Sequence, residues 1–178
     1  TLGGEISPYG LPINTQYPKA NCIELLQEIT KACPAWRNAS IETRVGCAME
    51  ILDRLNKRSF EMAFAVMHTT GQGFMMAFQA GGPHAQDRGL EAIAYAYKAM
   101  KDCPANTTWC KQVGRDDFVT LEKEFKIIPR GIGLVIGCST FPTWNTYPGL
   151  FASLVTGNAV IVKPHPGAIL PLAITVDI

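Results

Sequence analysis

Two short apolar runs on either side of a helix-length segment constrain the fold of this chain more than any other feature. Residues 132–137 and 159–162 are rich in Ile, Val and Leu, which is typical of strands buried on both faces of a parallel sheet. Residues 145–155 between them predict a helix that Gly157 and Asn158 end. A strand, helix, strand unit of this length indicates an α/β fold with a right-handed crossover.

Two parallel strands are too few to form a doubly wound sheet. We therefore expect an incomplete, Rossmann-like parallel sheet, whose remaining strands come from sequence beyond these residues or from another chain. A further helix is predicted to begin near Ala168. The chain has no initiator methionine and its last residues resemble a helix cut short, so we expect a fragment of a longer protein.

The first hundred residues predict a layer of helices. Asn21 and Ser40 belong to the residue types that favour the N-cap position, and Pro34 is expected to stop the first helix. The glycines of the segment GQG, residues 71–73, are expected to end another. Apolar residues recur at helical spacing in four segments, which are residues 21–32, 40–58, 59–70 and about 86–100.

Extended structure is predicted on either side of these helices. Residues 1–20 are rich in Gly and Pro and predict an extended arm. Apolar and polar residues alternate over residues 118–125, which is typical of an antiparallel or edge strand with one wetter face. The predicted organisation is an arm (1–20), a helical part (21–105), a segment with a strand (106–130) and a truncated strand, helix, strand unit (131–178).

The composition argues against several classes of function. The net charge is +1 and Lys and Arg form no run, so nucleic acid and anionic membrane surfaces are not expected as partners. No apolar run approaches the roughly 20 residues that a membrane span needs. The six cysteines have no two-residue spacing of the kind that holds a metal ion or a redox pair. No metal is expected, and reduced thiols indicate a cytoplasmic protein.

The candidate site lies where the two predicted parallel strands end, because open α/β sheets bind ligands beyond the carboxyl ends of their strands. The loop between the first strand and its helix is expected to bring its backbone close to a phosphate or a nucleotide ring. Lys163 ends the second strand and is expected to direct its ammonium group into the same crevice. The loop residues are Gly137, Cys138, Ser139 and Thr140.

One long segment resembles the aldehyde dehydrogenase superfamily. Residues 127–166, IIPRGIGLVIGCSTFPTWNTYPGLFASLVTGNAVIVKPHP, are similar to the family segment that runs from a Pro-x-Gly strand through Asn-Phe-Pro and Gly-Asn to Lys-Pro. Upstream, Trp36, SIETR (residues 40–44) and TGQG (residues 70–73) resemble the family's helical N-terminal pattern, so the resemblance covers most of the chain. Within the family, TFPTWN and KPHP are most similar to the phenylacetate-degradation branch, PaaN.

The resemblance implies hydride transfer from a thiohemiacetal to NAD or NADP, with a cysteine nucleophile, a glutamate base and an asparagine in the oxyanion hole. The implied substrate is an aldehyde or semialdehyde, in aromatic catabolism for the PaaN branch. The implied nucleophile and base lie downstream of Ile178, so Cys138, which the resemblance places in the cofactor-side turn, is expected to have a structural or backbone role there. Residues 118–125 resemble the arm through which family members pair sheets across subunits, which implies a homodimer or homotetramer.

The chain departs from the family pattern at two positions. Thr140 stands where the family has its oxyanion asparagine, so its hydroxyl either donates to the oxyanion or caps the next helix; Asn145 is a poorer candidate donor. Pro166 stands where many NAD-preferring members have a ribose-binding glutamate, and the missing carboxylate permits NADP. Lys163 matches the lysine that contacts the adenosine ribose. His165 either pairs with a 2′-phosphate or is a solvated turn residue.

The remaining motifs have structural interpretations. GQG (71–73) and GIG (131–133) lack the third glycine of a dinucleotide fingerprint, and the Met75–Met76 pair is expected in the core. A cofactor-binding or oligomerisation module without catalysis of its own is the alternative to an enzyme. A cysteine and a glutamate in downstream sequence would distinguish the two.

Overall fold

The computed structural model describes residues 3–17 and 19–178, which form a helical layer, an antiparallel hairpin and a two-stranded parallel sheet. The elements, in chain order, are α1 (Cys22–Asn38), α2 (Ile41–Lys57), α3 (Ser59–Thr70), α4 (Phe74–Gly81), α5 (Pro83–Lys101), β1 (Asn106–Gln112), β2 (Phe118–Glu124), β3 (Ile132–Ile136), α6 (Pro142–Val155), β4 (Ala159–Lys163) and α7 (Leu170–Val176).

The helices begin where the sequence offers a cap, but one predicted end is wrong. The side chains of Asn21 and Ser40 accept backbone N–H groups at the starts of α1 and α2. α1 continues through Pro34 and ends only where the backbone of Ala39 becomes extended. A proline removes one helical hydrogen bond and bends the helix, and here that cost does not stop it. The short helix α4 was not predicted.

The core lies where α5 and α6 cross. Gly89 lets these helices approach closely, because an added Cβ there would lie 2.8 Å from Cδ2 of Phe151 and 3.1 Å from Cδ2 of Leu52. Tyr147 packs edge-on against Phe151, and its hydroxyl lies 2.9 Å from that of Thr175. Burial raises the pKa of Tyr147 above its usual value. The crossing of α5 and α6 is therefore fixed by the close fit of these residues as well as by the apolar area that they bury.

A buried arginine joins the ends of two helices to this core. Arg44, on α2, is only 4% exposed. Its Nε donates to the carbonyl oxygen of Val155 at 2.8 Å, and its Nη1 donates to that of Ala39 at 2.6 Å. Desolvation lowers the pKa of Arg44. The guanidinium thus satisfies backbone carbonyls at the C-terminal ends of α6 and α1, which have no helical partner.

The parallel pair β3–β4 places Leu134 opposite Ile161. The expectation that β3 is buried on both faces is wrong, because Leu134 is 62% exposed and Ile136 is 65% exposed. A parallel sheet needs a layer on each face, and in the part of the chain that the structure describes no element buries these two side chains. The sheet is an incomplete, Rossmann-like one.

Three other expected packing faces are open. The hairpin places Trp109 opposite Leu121, and every residue of both its strands is exposed, so neither face is the drier one. α1 has no buried residue. Met75 and Met76 are 65% and 51% exposed, which contradicts their expected place in the core, because α4 buries only its small residues.

Candidate functional site

The carboxyl ends of β3 and β4 lie side by side. Ile136 is in register with Lys163, and the N–H of Gly137 donates to the carbonyl oxygen of Lys163 at 2.8 Å. The loop of residues 137–141, which we call the β3–α6 loop, therefore neighbours the turn of residues 163–168, which we call the β4–α7 turn. This is the placement that the strand order of an α/β sheet predicts for a ligand site.

Gly137 is buried at the start of the β3–α6 loop. An added Cβ would lie 3.0 Å from Cδ1 of Leu172 and 3.3 Å from Oγ1 of Thr146. Only glycine fits between these neighbours without a shift. The loop is thereby held close to both α6 and α7.

Three consecutive amides of this loop are available as donors. In residues 3–17 and 19–178, the N–H groups of Cys138, Ser139 and Thr140 have no hydrogen-bond partner. They precede α6, whose N-terminal end carries a positive partial charge. Such an arrangement suits an anionic or oxygen-rich group of a ligand.

Thr140 is exposed, and its hydroxyl forms no hydrogen bond within the described residues. α6 has Phe141 at its N-cap position, with no side-chain capping hydrogen bond. The alternative that Thr140 caps the helix is therefore wrong. Its hydroxyl remains free to donate to another group.

The sulfur of Cys138 is an acceptor inside the loop. It lies 3.5 Å from the backbone nitrogen of Phe141 and 3.1 Å from Nδ2 of Asn145, and both groups donate to it. Asn145, on the first turn of α6, thus uses its amide to hold the loop. These contacts give Cys138 a structural part in this chain.

Gln72 reaches the same loop from the helical layer. Its Nε2 donates to the carbonyl oxygen of Thr140 at 2.5 Å. The sequence predicted only that GQG ends a helix, because nothing in that pattern indicates a contact 68 residues away. Sequence reasoning missed this residue.

The β4–α7 turn carries the other candidate residues. Lys163 is exposed and forms no ion pair with any residue that the structure describes. Nδ1 of His165 accepts the N–H of Gly167 at 3.1 Å, as in a polar turn, while the ring stays exposed. Pro166 is exposed as well. The turn thus presents the ammonium group of Lys163, which has no partner among the described residues, and a histidine whose Nδ1 holds the backbone of the same turn.

Glu5 was also missed by sequence reasoning. Its Oε1 accepts the N–H groups of Ile169 and Leu170, both at 2.6 Å, at the start of α7. Its Oε2 is buried without a partner among the described residues. The N-terminal arm therefore fastens to the end of the β4–α7 turn. A single glutamate in a Gly-rich segment offers no signal for this contact.

An apolar cleft of about 440 Å³ adjoins the β3–α6 loop. The rings of Phe141 and Trp144 line it, with centroids 6.0 Å apart and planes inclined at 61°. On the α5 side, Nη2 of Arg88 forms a 2.5 Å ion pair with Glu91. The remaining lining residues are Ala80, His84 and Asp87.

Two other kinds of site have no counterpart in residues 3–17 and 19–178. No three His, Cys, Asp or Glu side chains gather closely enough to hold a metal ion. No helix there combines the length and the apolar character that crossing a bilayer requires.

The chain is similar to known proteins along nearly all of its length. The family model described as "Aldehyde dehydrogenase family" matches residues 14–178. Among solved structures, the NAD-dependent aldehyde dehydrogenase from Burkholderia multivorans is similar with a TM-score of 0.95 and 57% sequence identity, over 99% of this chain and 32% of that one. No curated protein matches the chain significantly.

More distant structures share the fold. NADP-dependent glyceraldehyde-3-phosphate dehydrogenase from Bacillus halodurans C-125, complexed with NADP, has a TM-score of 0.67 and 20% identity, over 85% of this chain and 31% of that one. A betaine aldehyde dehydrogenase double mutant from Staphylococcus aureus, in complex with NAD+, has a TM-score of 0.69 and 16% identity, over 97% of this chain and 33% of that one. This chain spans about a third of the length of these structures. By the family match and the 57% identity, the chain belongs to the aldehyde dehydrogenase family.

Proposed function

We propose that this chain is the cofactor-binding, N-terminal part of an NAD(P)-dependent aldehyde dehydrogenase, whose cysteine nucleophile and glutamate base lie outside these residues. The observation that carries the proposal is the adjacency of the β3–α6 loop and Lys163 in a chain 57% identical to a protein named as an NAD-dependent aldehyde dehydrogenase. The proposed cofactor-binding residues are Gly137, Cys138, Ser139, Lys163, His165 and Pro166.

The donors at this site fit a dinucleotide. Three amides and one ammonium group that have no partner among the described residues match the phosphate and ribose oxygens that such a cofactor presents. Pro166 places no carboxylate against a 2′-phosphate, so NADP stays beside NAD as a candidate. When bound, the nicotinamide ring would accept the hydride that leaves the carbon of the thiohemiacetal as the thioester forms.

Replacing Lys163 with alanine is expected to weaken cofactor binding by about tenfold to a hundredfold, since a hydrogen bond from a charged donor contributes about 1.5–3 kcal/mol. The measurement is calorimetric titration of the full-length protein with NAD and with NADP. Lys98→Ala is the matched control, because Lys98 is an exposed lysine on α5, outside the hairpin and the cofactor site. Equal affinities for wild type and Lys163→Ala would remove Lys163 from the site.

Thr140 is the proposed oxyanion donor. Its hydroxyl is exposed and unpaired among the described residues, and its peptide is held by Gln72. The chain's own contribution to the reaction is then a fixed hydrogen-bond donor where negative charge develops on the aldehyde oxygen.

Thr140→Val is expected to slow the chemical step by about tenfold to a thousandfold while leaving cofactor affinity unchanged, because valine keeps the shape and removes the donor. Pre-steady-state formation of reduced cofactor in the full-length protein measures this step. Thr30→Val, on the exposed face of α1, is the control for the substitution itself. A rate equal to wild type would leave Thr140 without a catalytic role.

The proposed substrate is an aldehyde of phenylacetate or other aromatic-acid breakdown, such as a semialdehyde or a CoA-linked aldehyde. The similarity of TFPTWN and KPHP to the PaaN branch supports this, and so do the rings of Phe141 and Trp144 that line the apolar cleft beside the β3–α6 loop. Assays of the full-length protein with NAD, NADP and a panel of aryl, aliphatic and acidic aldehydes test the proposal. Reduced cofactor with the aliphatic aldehydes alone, and with none of the aryl or acidic ones, would reject the proposed substrate class.

The second candidate function is an oligomerisation or cofactor-binding module without catalysis of its own. The hairpin favours it, because both its faces are exposed and its two outer strand edges pair with no other described residue, as in an arm that pairs with another subunit. We propose a homodimer or homotetramer through this segment, and the mass of the assembly in solution tests it.

The proposed domain division is the arm, the helical part, the hairpin segment and the sheet unit. A cytoplasmic location is supported by six free cysteines.

A further inference from the structure

The β3–α6 loop does not fix its own conformation. α6 has no side-chain cap at its N-terminus. Instead, both polar atoms of the peptide that links Thr140 to Phe141 are held by side chains. Its carbonyl oxygen accepts from Nε2 of Gln72, and its N–H donates to the sulfur of Cys138 at 3.5 Å. Because a peptide is planar, two opposed hydrogen bonds set the direction of the whole unit.

Gln72 is itself firmly placed in the turn between α3 and α4. Its backbone N–H donates to Oγ1 of Thr70 at 3.3 Å, and its carbonyl oxygen accepts from the hydroxyl of Tyr9 at 3.4 Å. Gly71 adopts a left-handed conformation, with φ of 76°, that a side chain rarely tolerates. The turn therefore presents Gln72 toward the loop in a fixed geometry.

The N-terminal arm braces this turn. The ring of Tyr9 packs edge-on against His68, with centroids 5.5 Å apart. Oγ of the buried Ser7 lies 3.0 Å from Nδ1 of His68. His68 is on the last turn of α3, directly before the residues that carry Gln72. A contact chain thus runs from the arm through α3 to the β3–α6 loop.

The contact requires an amide at position 72. Nε2 of Gln72 faces a carbonyl oxygen, whereas its Oε1 is buried without a partner in residues 3–17 and 19–178. Turning the amide over would place two acceptor oxygens against each other. A carboxylate would do the same at neutral pH, and an aliphatic side chain would donate nothing.

We propose that Gln72 is a positioning residue, which acts by holding the carbonyl of Thr140 and so aims the threonine hydroxyl at the reacting oxygen. This inference rests on the proposed function, because it acts through the catalytic role of Thr140. Losing the hydrogen bond to the carbonyl oxygen of Thr140 loosens the position of the threonine hydroxyl during the reaction, while Lys163 on the β4–α7 turn keeps its place.

The first test compares Gln72→Leu, Gln72→Glu and the control Gln79→Leu in the full-length protein. Gln79 is an exposed glutamine on α4. In Gln72→Leu we expect kcat to fall about tenfold, and KM for the cofactor to rise by a smaller factor, because the β4–α7 turn with Lys163 is left unchanged. Gln79→Leu keeps both constants. A Gln72→Leu variant with wild-type kcat would overturn the inference.

Gln72→Glu adds a pH signature that loss of packing cannot produce. Its carboxylate repels the carbonyl of Thr140 near neutral pH, but the protonated acid donates to it, so kcat relative to wild type rises as the pH falls from about 8 to about 5. A ratio that does not change with pH in this variant would count against the proposed contact.

A second readout requires neither aldehyde nor cofactor. Because Cys138 holds the other side of the same peptide, Gln72→Leu is expected to raise the rate at which iodoacetamide alkylates Cys138 several-fold. Peptide mass mapping at successive times measures this rate. Gln79→Leu leaves that rate unchanged. An unchanged rate in Gln72→Leu would overturn this inference, whereas a wild-type protein that oxidises no aldehyde would end the proposed function.

Discussion

Arg44→Met is expected to lower the free energy of unfolding by about 3–5 kcal/mol, as measured by urea denaturation. The substitution keeps most of the side-chain volume but removes the donors to the carbonyl oxygens of Val155 and Ala39. A buried polar group left without a partner costs about 1–3 kcal/mol. Two such carbonyls and a weakened junction between three helices account for the expected loss.

Arg54→Met is the control on the same helix. Arg54 is exposed and pairs with Glu50 one turn away, at 2.7 Å. Exposed pairs of this spacing contribute about 0.3–0.5 kcal/mol, so this variant is expected to stay close to wild type. Similar losses in the two variants would mean that buried hydrogen bonds of Arg44 do not stabilise the junction.

Phe151→Ala is the second substitution with a large expected effect, a loss of about 3–5 kcal/mol in the free energy of unfolding. The ring is completely buried where α5 crosses α6, and Gly89 on the facing helix cannot fill the cavity. Thermal and urea denaturation measure the loss. The control is Phe60→Ala, because Phe60 is a mostly exposed phenylalanine on α3 and is expected to contribute about 1 kcal/mol or less.

A double-mutant cycle with Gly89→Val isolates the contact itself. Alone, Gly89→Val forces a side chain against Phe151 and is expected to cost about 1–3 kcal/mol. Combined with Phe151→Ala, the valine occupies the space that the ring vacates. The double mutant is therefore expected to lose less stability than the sum of the two single-mutant losses, by at least about 0.5 kcal/mol. Strict additivity would contradict the close crossing.

Local patterns predicted most of the elements but not the exposure of their faces. The caps at Asn21 and Ser40 and the parallel pair β3–β4 follow from short-range chemistry, and they are confirmed. The burial of β3 was predicted from an apolar run. Such a run shows that a strand can be buried, but it does not show which layers are present to cover it. Which layers are present depends on residues elsewhere, so Leu134 and Ile136 are exposed in this chain.

At the site as well, local sequence predicted which residues lie together, but it did not predict contacts between residues far apart in the sequence. The order of strand, loop and helix was enough to predict that residues 137–140 and Lys163 lie together, and the structure places their strand ends side by side. That order could not reveal Gln72 or Glu5. Gln72 contacts Thr140, 68 residues away in the sequence, and Glu5 contacts Ile169, 164 residues away. A single polar side chain that crosses such a distance leaves no periodic signal.

The open face of β3 has a practical consequence for anyone who handles these 178 residues. Unpaired strand edges and uncovered aliphatic side chains are templates on which another copy can add. That association depends on encounters between molecules, whereas the helical core depends only on contacts within one molecule. We therefore expect association of copies of this chain through the open face of β3 to increase with protein concentration.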